Sequence, residues 1–489
     1  MPYPLTLPTT STLHLPQIYE SATHPSLPLT ATTLRSILKD ALKKHKRLPS
    51  REKALHLPLI HDALTNYLPY LLALNSAAGF GDVGAEQNVD LGVKGPLVVE
   101  WRCTLTATTM TTPGLEAPRV KLVGLHYELA FTLATLAATQ TLRARAQLKV
   151  LFDGSVITAE QRTSAITGAM KFLLEAYGVY QYLLSLPSVG AAAAAGAPVD
   201  VQPATLSGLA ALALAEATLV VVAKDDPFAA AVAEERNEGN REWMYRAPAM
   251  PKVRAHLFAR IALAAAEHAG AAQGLLRGVR GLDEGVWRYA GEVRRCARGK
   301  AARFLGVDGE VEGGAGLGLA WLKGARGELG EVAEEGGRGK KGLRGLKAGW
   351  KERREERKVE GGGEWGLDGG RLEEVRVVAM LEAKWERENR TVNVQPVPAW
   401  EPLIASMPSG REYHSPQPWT PPVLDAGTLT RMRVPPDPDE AAFRGEEPDS
   451  GDDGDGGKRY GLRSPDPVGA FPGTGGDYGA RSGTSTSYY

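Results

Sequence analysis

The chain has 489 residues; 43% are hydrophobic, only 7% are aromatic, and Lys+Arg and Asp+Glu both total 57. The zero formal net charge excludes a global attraction to nucleic acid or to an anionic membrane, so any electrostatic targeting must come from a local patch. Alanine and leucine dominate the apolar residues, which favours a mainly α protein because these side chains lose little on entering a helix.

The cysteine count and the N-terminus bear on the cellular compartment. Two cysteines far apart in sequence, Cys103 and Cys296, indicate a reducing intracellular environment rather than secretion. The N-terminus lacks the basic and apolar regions of a signal peptide. The most apolar stretch, 209–223, is interrupted by Glu216 and is predicted to be too short to span a bilayer. We therefore expect a soluble cytoplasmic protein.

The first part of the chain predicts an extended segment, then helices, then a strand. Residues 1–31 are rich in Pro, Ser and Thr, and apolar residues recur at helical spacing over 32–75. Three prolines are predicted to break that helical stretch: Pro49, Pro58 and Pro69. A Gly-rich loop follows at 76–95, and the β-branched and aromatic residues of 96–105 predict a strand.

Helices dominate the middle of the chain. Apolar periodicity predicts four long helices, at 120–151, 158–186, 204–224 and 252–276. Thr158 and Gln161 form the capping-box pattern that opens the second of them. Weaker helices are predicted near 282–305, 316–335 and 370–390, where glycines reduce helix propensity. No letter-level repeat is present, so periodicity alone does not predict a solenoid.

The last part of the chain changes composition twice. Eight prolines, with Trp400, Tyr413 and Trp419 between them, predict an extended arm over 391–424 that packs onto the helical body. From 425 to 489 the chain is rich in Gly, Pro, Ser and acidic residues, which predicts a disordered tail.

Motifs for catalysis or metal binding are missing from the sequence. The nine histidines are scattered without an accompanying cysteine pair or an HExxH pattern, and no GxSxG elbow occurs. Residues 337–342 match GxGxxG by letter but follow an acidic helical stretch instead of a strand, which argues against a dinucleotide site. We predict no enzyme activity, no catalytic residues, no metal site and no cofactor.

One basic run stands out at 338–358, with ten Lys/Arg and three Glu residues. One interpretation is a patch for anionic lipid, because clustered basic residues near a membrane contribute about 1 kcal/mol each. Its candidate lipid contacts are Lys340, Lys341, Arg344 and Lys347. The other interpretation, a solvated insert between helices, is favoured by the glycines spaced through the run.

Several segments, taken in order, resemble the Bro domain family. They are Val98–Arg102, Leu125–Ala134, Ala165–Glu175, Leu212–Lys224, Val253–Ala262, Glu386–Arg390 and Val397–Leu403. Their order over roughly residues 1–424 makes the resemblance specific. Within the family, the Pro-rich opening, the basic segment 43–49 and the Gly/Tyr-rich ending are most similar to the fungal pH-response regulators.

The resemblance implies a fold and a function. It implies a boomerang-shaped helical domain at 1–424, with a tetratricopeptide-like core and a small sheet, followed by the tail 425–489. The implied function is a non-enzymatic adaptor of alkaline-pH signalling that binds the C-terminal helix of a Snf-type ESCRT-III subunit. Other pH-signalling components, but no nucleic acid, are further candidate partners. The implied location is cytoplasmic, with peripheral recruitment to plasma-membrane or endosomal ESCRT sites.

Two alternatives stay open from the sequence: an adaptor that sorts cargo into multivesicular bodies, and a membrane-surface protein that acts through 338–358. The Bro resemblance also implies a partner-binding groove between the third and fourth long helices. Its candidate residues are Val221, Lys224, Leu257, Arg260 and Ile261. Arg260 stands where the family usually has lysine. Val221 stands where relatives often carry an aromatic residue, which implies a shallower pocket here.

Each apolar candidate also has an ordinary interpretation as core packing. Leu257 and Ile261 are four residues apart, and Val221 and Lys224 are three apart, so each pair shares a helical face. Helix-in-groove binding requires that the apolar residues remain open to solvent. The groove prediction therefore depends on their exposure.

Overall fold

The chain is mainly helical, as its composition predicts. A computed structural model describes residues 2–80, 87–107, 118–152, 158–187, 196–228, 252–330, 365–391 and 394–434. These residues belong to one compact unit, Met1–Val434. The basic run 338–358 and the tail beyond 434 lie outside the described residues.

Within the described residues, two small antiparallel sheets lie in the N-terminal part of the chain. Their strands are β1 (Thr9–Thr10), β2 (Tyr19–Glu20), β3 (Gly92–Val93), β4 (Val98–Arg102) and β5 (Val120–Val123). One sheet has the order β1-β4-β5, and β2 pairs with β3 in the other. Strand β4 confirms the strand predicted at 96–105.

Strand β5 corrects the helix that was predicted from residue 120. Val98 pairs with Val123 and Trp101 pairs with Val120, so residues 120–123 complete the first sheet. Gly124 follows with φ 119°, a conformation that other residues rarely adopt, and the helix begins only at Leu125. The chain thus turns from strand to helix at this glycine.

Helices α1 (Leu27–Arg47) and α2 (Ser50–Ala77) form an antiparallel pair joined at Pro49. The predicted breaks at Pro58 and Pro69 are wrong, because α2 continues through both. Each proline removes one backbone hydrogen bond. Burial of the leucine-rich face of α2 compensates, and its fully or almost fully buried residues include Ile60, Leu64, Tyr67, Leu68, Leu71 and Leu72.

The remaining long helices pack in chain order, each against the next. They are α3 (Leu125–Lys149), α4 (Ala159–Ser185), α5 (Pro203–Lys224), α6 (Lys252–Arg277), α7 (Glu284–Gly313), α8 (Ala315–Glu328) and α9 (Arg371–Thr391). The predicted capping box is confirmed at the start of α4. The Thr158 side chain accepts from the Gln161 N–H, and the Gln161 side chain accepts from the Thr158 N–H.

Helix α5 lies in the middle of this row. By length and composition alone it is long and apolar enough to cross a membrane, which corrects the expectation that the stretch is too short. However, 72% of its most apolar window is buried inside the protein, as in the core helix of a globular fold.

A buried ionic network fixes the N-terminal segments to the helices. Glu128 on α3 accepts from Arg35 Nε at 2.7 Å, from Trp101 Nε1 at 2.8 Å and from Tyr67 Oη at 3.3 Å. Arg35 also donates to the side chain of Thr10. Because each polar group has a partner, α1, α2, α3 and the first sheet are held in one arrangement.

The Pro-rich arm packs onto the body, as its aromatic residues predict. It contains the short helix α10 (Glu401–Ala405), and α11 (Ala426–Met432) follows it. Trp400 lies close to Gly324 and Gly327 on α8, and the Trp419 ring lies 5.1 Å from that of Tyr182 on α4. The Val434 N–H donates to the Thr23 carbonyl. The arm therefore crosses the row of helices and reaches the N-terminal region.

Candidate functional site

The five candidate binding residues lie at the end of α5 and near the start of α6, which pack against each other. Lys224 is exposed, and Leu257 and Arg260 are half-buried. In contrast, Val221 is 8% exposed and Ile261 is 1% exposed. The structure therefore places three of the five side chains at the surface and two beneath it.

The burial of Ile261 has a clear cause. Ile261 belongs to a cluster that includes Phe258 on the same helix and Phe304 on α7, whose rings lie 5.5 Å apart. Leu257, one turn earlier on α6, packs against the edge of this cluster. Ile261 therefore lies beneath the surface, whereas Leu257, Lys224 and Arg260 reach it.

The arm lies along the same part of α6. The Arg411 N–H donates to the carbonyl of Arg260 at 2.9 Å, and Arg260 Nε donates to the carbonyl of Ser409 at 3.2 Å. The Gly410 N–H donates to the Glu267 side chain at 3.0 Å. Residues 407–414, which we call the arm segment, therefore form one side of the candidate site.

The arm segment approaches α6 very closely at Gly410. A Cβ atom on Gly410 would lie 2.6 Å from the Cα of Ala264, so Gly410 has no room for a side chain. Met407 packs against the small cluster of Ala262, Leu263 and Ala301. Small residues on α6 thus allow backbone-to-backbone contact with the arm.

Two histidines mark where the arm segment leaves α6. His268 Nε2 lies 3.0 Å from a carboxylate oxygen of Glu412. His414 hydrogen-bonds with the backbone of Ala217 on α5, and burial lowers its pKa. The arm therefore passes from α6 to α5 at this point.

A buried ionic network holds the end of α5. Asp226, just past Lys224, contacts Arg303 on α7 at 2.5 Å, and Arg303 also contacts Glu374 on α9 at 2.5 Å. Burial by itself lowers the pKa of Arg303, but the two carboxylates outweigh it and raise that pKa. Lys300 pairs with Glu374 as well. The network joins the α5 end to α7 and α9 beneath the candidate site.

The surface of the candidate site carries charges of both signs, and exposed Asp225 directly follows Lys224. Lys224 and Arg254 are exposed, and Arg260 is half-buried beside the arm segment. His256 faces Asp308 across 3.8 Å. A half-buried leucine flanked by cations suits an amphipathic helix that carries acidic residues.

Sequence reasoning located α5 and α6 but missed the arm segment as part of this face. Ser409 and Arg411 contact α6 through their backbone atoms, and such contacts leave no side-chain pattern in the sequence. The Ser-Gly pair within the Pro-rich arm was the signal available in the sequence. The candidate lipid contacts Lys340, Lys341, Arg344 and Lys347 lie outside the described residues. Within the described ranges no group of three potential metal ligands occurs. Cys103 and Cys296 are both free thiols.

Comparison with known proteins shows a strong sequence similarity to a fungal protein. No protein-family model matches the chain. The pH-response regulator protein palC of Emericella nidulans is 41% identical over 470 residues, which cover 89% of this chain and 92% of that protein.

Solved structures show a similar fold. ALIX, crystallised with the SIVmac239 PYKEVTEDL late domain, matches 91% of this chain with a TM-score of 0.52 at 16% identity. This chain spans about half of that ALIX chain, 53%. The ALIX BRO1–CHMP4C complex matches 86% of this chain and 95% of its own, with a TM-score of 0.48 at 14% identity.

Proposed function

The chain belongs to the palC family of pH-response regulators, and from this premise we propose that it is a non-enzymatic adaptor that binds a helix of a Snf-type ESCRT-III subunit. The proposed binding surface consists of Lys224, Leu257 and Arg260, with Val221 and Ile261 supporting it from inside. The observation that carries the proposal is a half-buried leucine with cationic neighbours on the helix that resembles the Bro-domain segment Val253–Ala262.

The physical basis is helix-in-groove recognition. Burying one leucine-sized side chain yields about 1.5–3 kcal/mol, and the loss of freedom on association removes part of that gain. A few such anchors give a dissociation constant of about 1 μM, which suits a reversible adaptor. Lys224 and Arg260 add attraction to an acidic partner, chiefly by increasing the rate of encounter.

Binding of the C-terminal helix of the ESCRT-III subunit, as a labelled peptide, to the purified full chain tests the proposal. We expect Leu257→Asp to weaken binding tenfold or more, because it places a charge on the apolar anchor. Ile261→Asp is unsuitable as a test because a charge at a site 1% exposed would destabilise the fold.

A matched control is available on the same helix. Leu275 is 41% exposed near the other end of α6, so Leu275→Asp should leave peptide binding unchanged. Circular dichroism would verify that both variants remain folded. Equal affinity of wild type and Leu257→Asp would refute the proposed surface.

The palC relative is a pH-response regulator, which favours pH signalling over cargo sorting as the role of the adaptor. We further propose that the protein works in the cytoplasm and is recruited to ESCRT sites at the plasma membrane or endosome. Imaging of a fluorescent fusion after an alkaline shift tests this location. A signal that stays uniformly cytoplasmic would contradict it.

A further inference from the structure

The α1–α2 hairpin carries a dense positive charge. Between residues 43 and 53 the sequence has six Lys/Arg residues and one acid, Glu52. Lys44, Lys46, Arg47 and Arg51 are exposed, and Lys43 and Lys53 are half-buried. These side chains cluster where α1 ends and α2 begins, at the turn between the two helices.

Two arginines from the first sheet add to this charge. Arg102 ends β4, and Arg119 directly precedes β5. Burial is the largest cause that lowers the pKa of Lys46, and the charges of Arg102 and Arg119 lower this pKa further. Burial and the charge of Arg119 likewise lower the pKa of Arg102. Segments that are distant in sequence thus bring basic side chains together at this end of the two helices.

Exposed leucines lie beside the charged tip. Leu55 is 83% exposed and Leu59 is 50% exposed. With Arg51 they are spaced four residues apart on α2, so the three form one ridge. Burial lowers the pKa of His56, which follows Leu55 in the chain, and the charge of Lys44 lowers this pKa further. Lys44 therefore lies near this ridge.

A bilayer surface fits this combination better than an acidic peptide does. A peptide helix needs a recess for its apolar side chains, whereas Leu55 projects into solvent. Basic residues beside an exposed leucine match a bilayer interface, where the charges meet anionic headgroups and the leucine enters the acyl boundary.

We propose that the α1–α2 hairpin, together with Arg102 and Arg119, is a membrane-facing surface that binds anionic phospholipid headgroups and inserts Leu55. In the packing order of the helices, α3, α4 and α5 lie between this hairpin and α6. The membrane-facing surface is therefore separate from the proposed partner-binding surface. It is also separate in sequence from the basic run 338–358.

Flotation of the full chain with phospholipid vesicles tests the proposal. The vesicles contain phosphatidylcholine alone or equal parts of phosphatidylcholine and phosphatidylserine. We expect binding to the anionic vesicles only, and weaker binding at higher salt, because salt screens exposed charges. Replacing Lys44, Arg47 and Arg51 by Gln should lower the partition coefficient about a hundredfold, since each basic residue contributes about fivefold.

Two further variants test the parts of the proposal separately. Leu55→Ser should lower partitioning on the order of tenfold without changing thermal stability, because this side chain is already in solvent. A matched triple replacement by Gln at Lys171, Arg277 and Arg280, which are exposed elsewhere, should leave partitioning unchanged.

Three outcomes would overturn the proposal. One is equal binding of the wild type to neutral and anionic vesicles. Another is that the Lys44/Arg47/Arg51 variant partitions like the wild type while deletion of 338–358 abolishes binding. That result would assign the lipid contact to the basic run 338–358. The third is unchanged partitioning of Leu55→Ser, which would leave an electrostatic contact without insertion. None of these outcomes alters the peptide-binding test of the α6 surface.

Discussion

Gly410 of the arm segment lies so close to α6 that a Cβ atom on it would be 2.6 Å from the Cα of Ala264. This contact aligns Ser409 and Arg411 for their hydrogen bonds with Arg260. The backbone of Ala264 cannot move away easily because α6 is packed between α5 and α7. A side chain at position 410 would therefore displace the arm segment.

The first prediction concerns that contact. Gly410→Val should lower the free energy of unfolding by about 1–3 kcal/mol, the usual cost of overpacking. Urea denaturation followed by circular dichroism measures the change. Gly274→Ala is a matched control, because Gly274 lies on α6 with open space where a methyl group would project, and alanine is the better helix former. A Gly410→Val protein as stable as the wild type would show that the arm segment contributes nothing to stability.

The second prediction concerns a buried carboxyl group on α5. Burial raises the pKa of Glu216 to about 7, although the N-terminal amino group and hydrogen bonds from Tyr289 Oη and the Tyr3 N–H oppose this effect. The folded protein therefore holds this proton more tightly than the unfolded chain, whose reference value is 4.5. The resulting stability is complete below pH 4.5 and is lost as the pH rises through 7.

Glu216→Gln should remove this pH dependence because the amide stays neutral. Relative to the wild type, the variant should gain about 2.5 kcal/mol on going from pH 5 to pH 8. Urea denaturation at both pH values measures the difference. Glu386→Gln, at an exposed i,i+4 pair with Arg390, should change stability by less than about 0.5 kcal/mol at either pH. Parallel pH profiles for wild type and Glu216→Gln would contradict the prediction.

The third prediction concerns the end of the folded unit. Met432 is 9% exposed, and Val434 donates its N–H to the Thr23 carbonyl at 2.9 Å. A chain truncated after Leu424 loses both contacts and should be less stable by about 1.5–3 kcal/mol, the value of burying one such side chain. Truncation after Val434 is the control and should unfold at the same temperature as the full chain. Equal melting temperatures for the two truncations would place the end of the folded unit at 424.

Much of the helical body was predictable because local signals and packing agree there. The capping box at Thr158 and Gln161 and the apolar spacing of α5 and α6 depend on nearby residues, and the structure confirms all three elements. The same local rules failed at Pro58, where burial of neighbouring residues keeps α2 helical. They also failed at 120–123, where pairing with β4 outweighs helix propensity.

The candidate site was less predictable, for a geometric reason. Residues four apart differ by about 40° around a helix axis, so Leu257 and Ile261 share a face without sharing an environment. The position of α7 decides that Ile261 is covered while Leu257 reaches the surface. Sequence spacing carries no information about that neighbour. The arm segment was missed because its main contacts are between backbone atoms.

The order of synthesis gives the arm a further consequence. The ribosome makes α6 well before residues 407–414, so the growing chain exposes the alanine-rich surface around Ala264 until those residues leave the exit tunnel. During that interval no later part of the chain packs against this surface of the helices. Nascent chains halted before 407 should therefore depend on chaperones more than chains halted after 434.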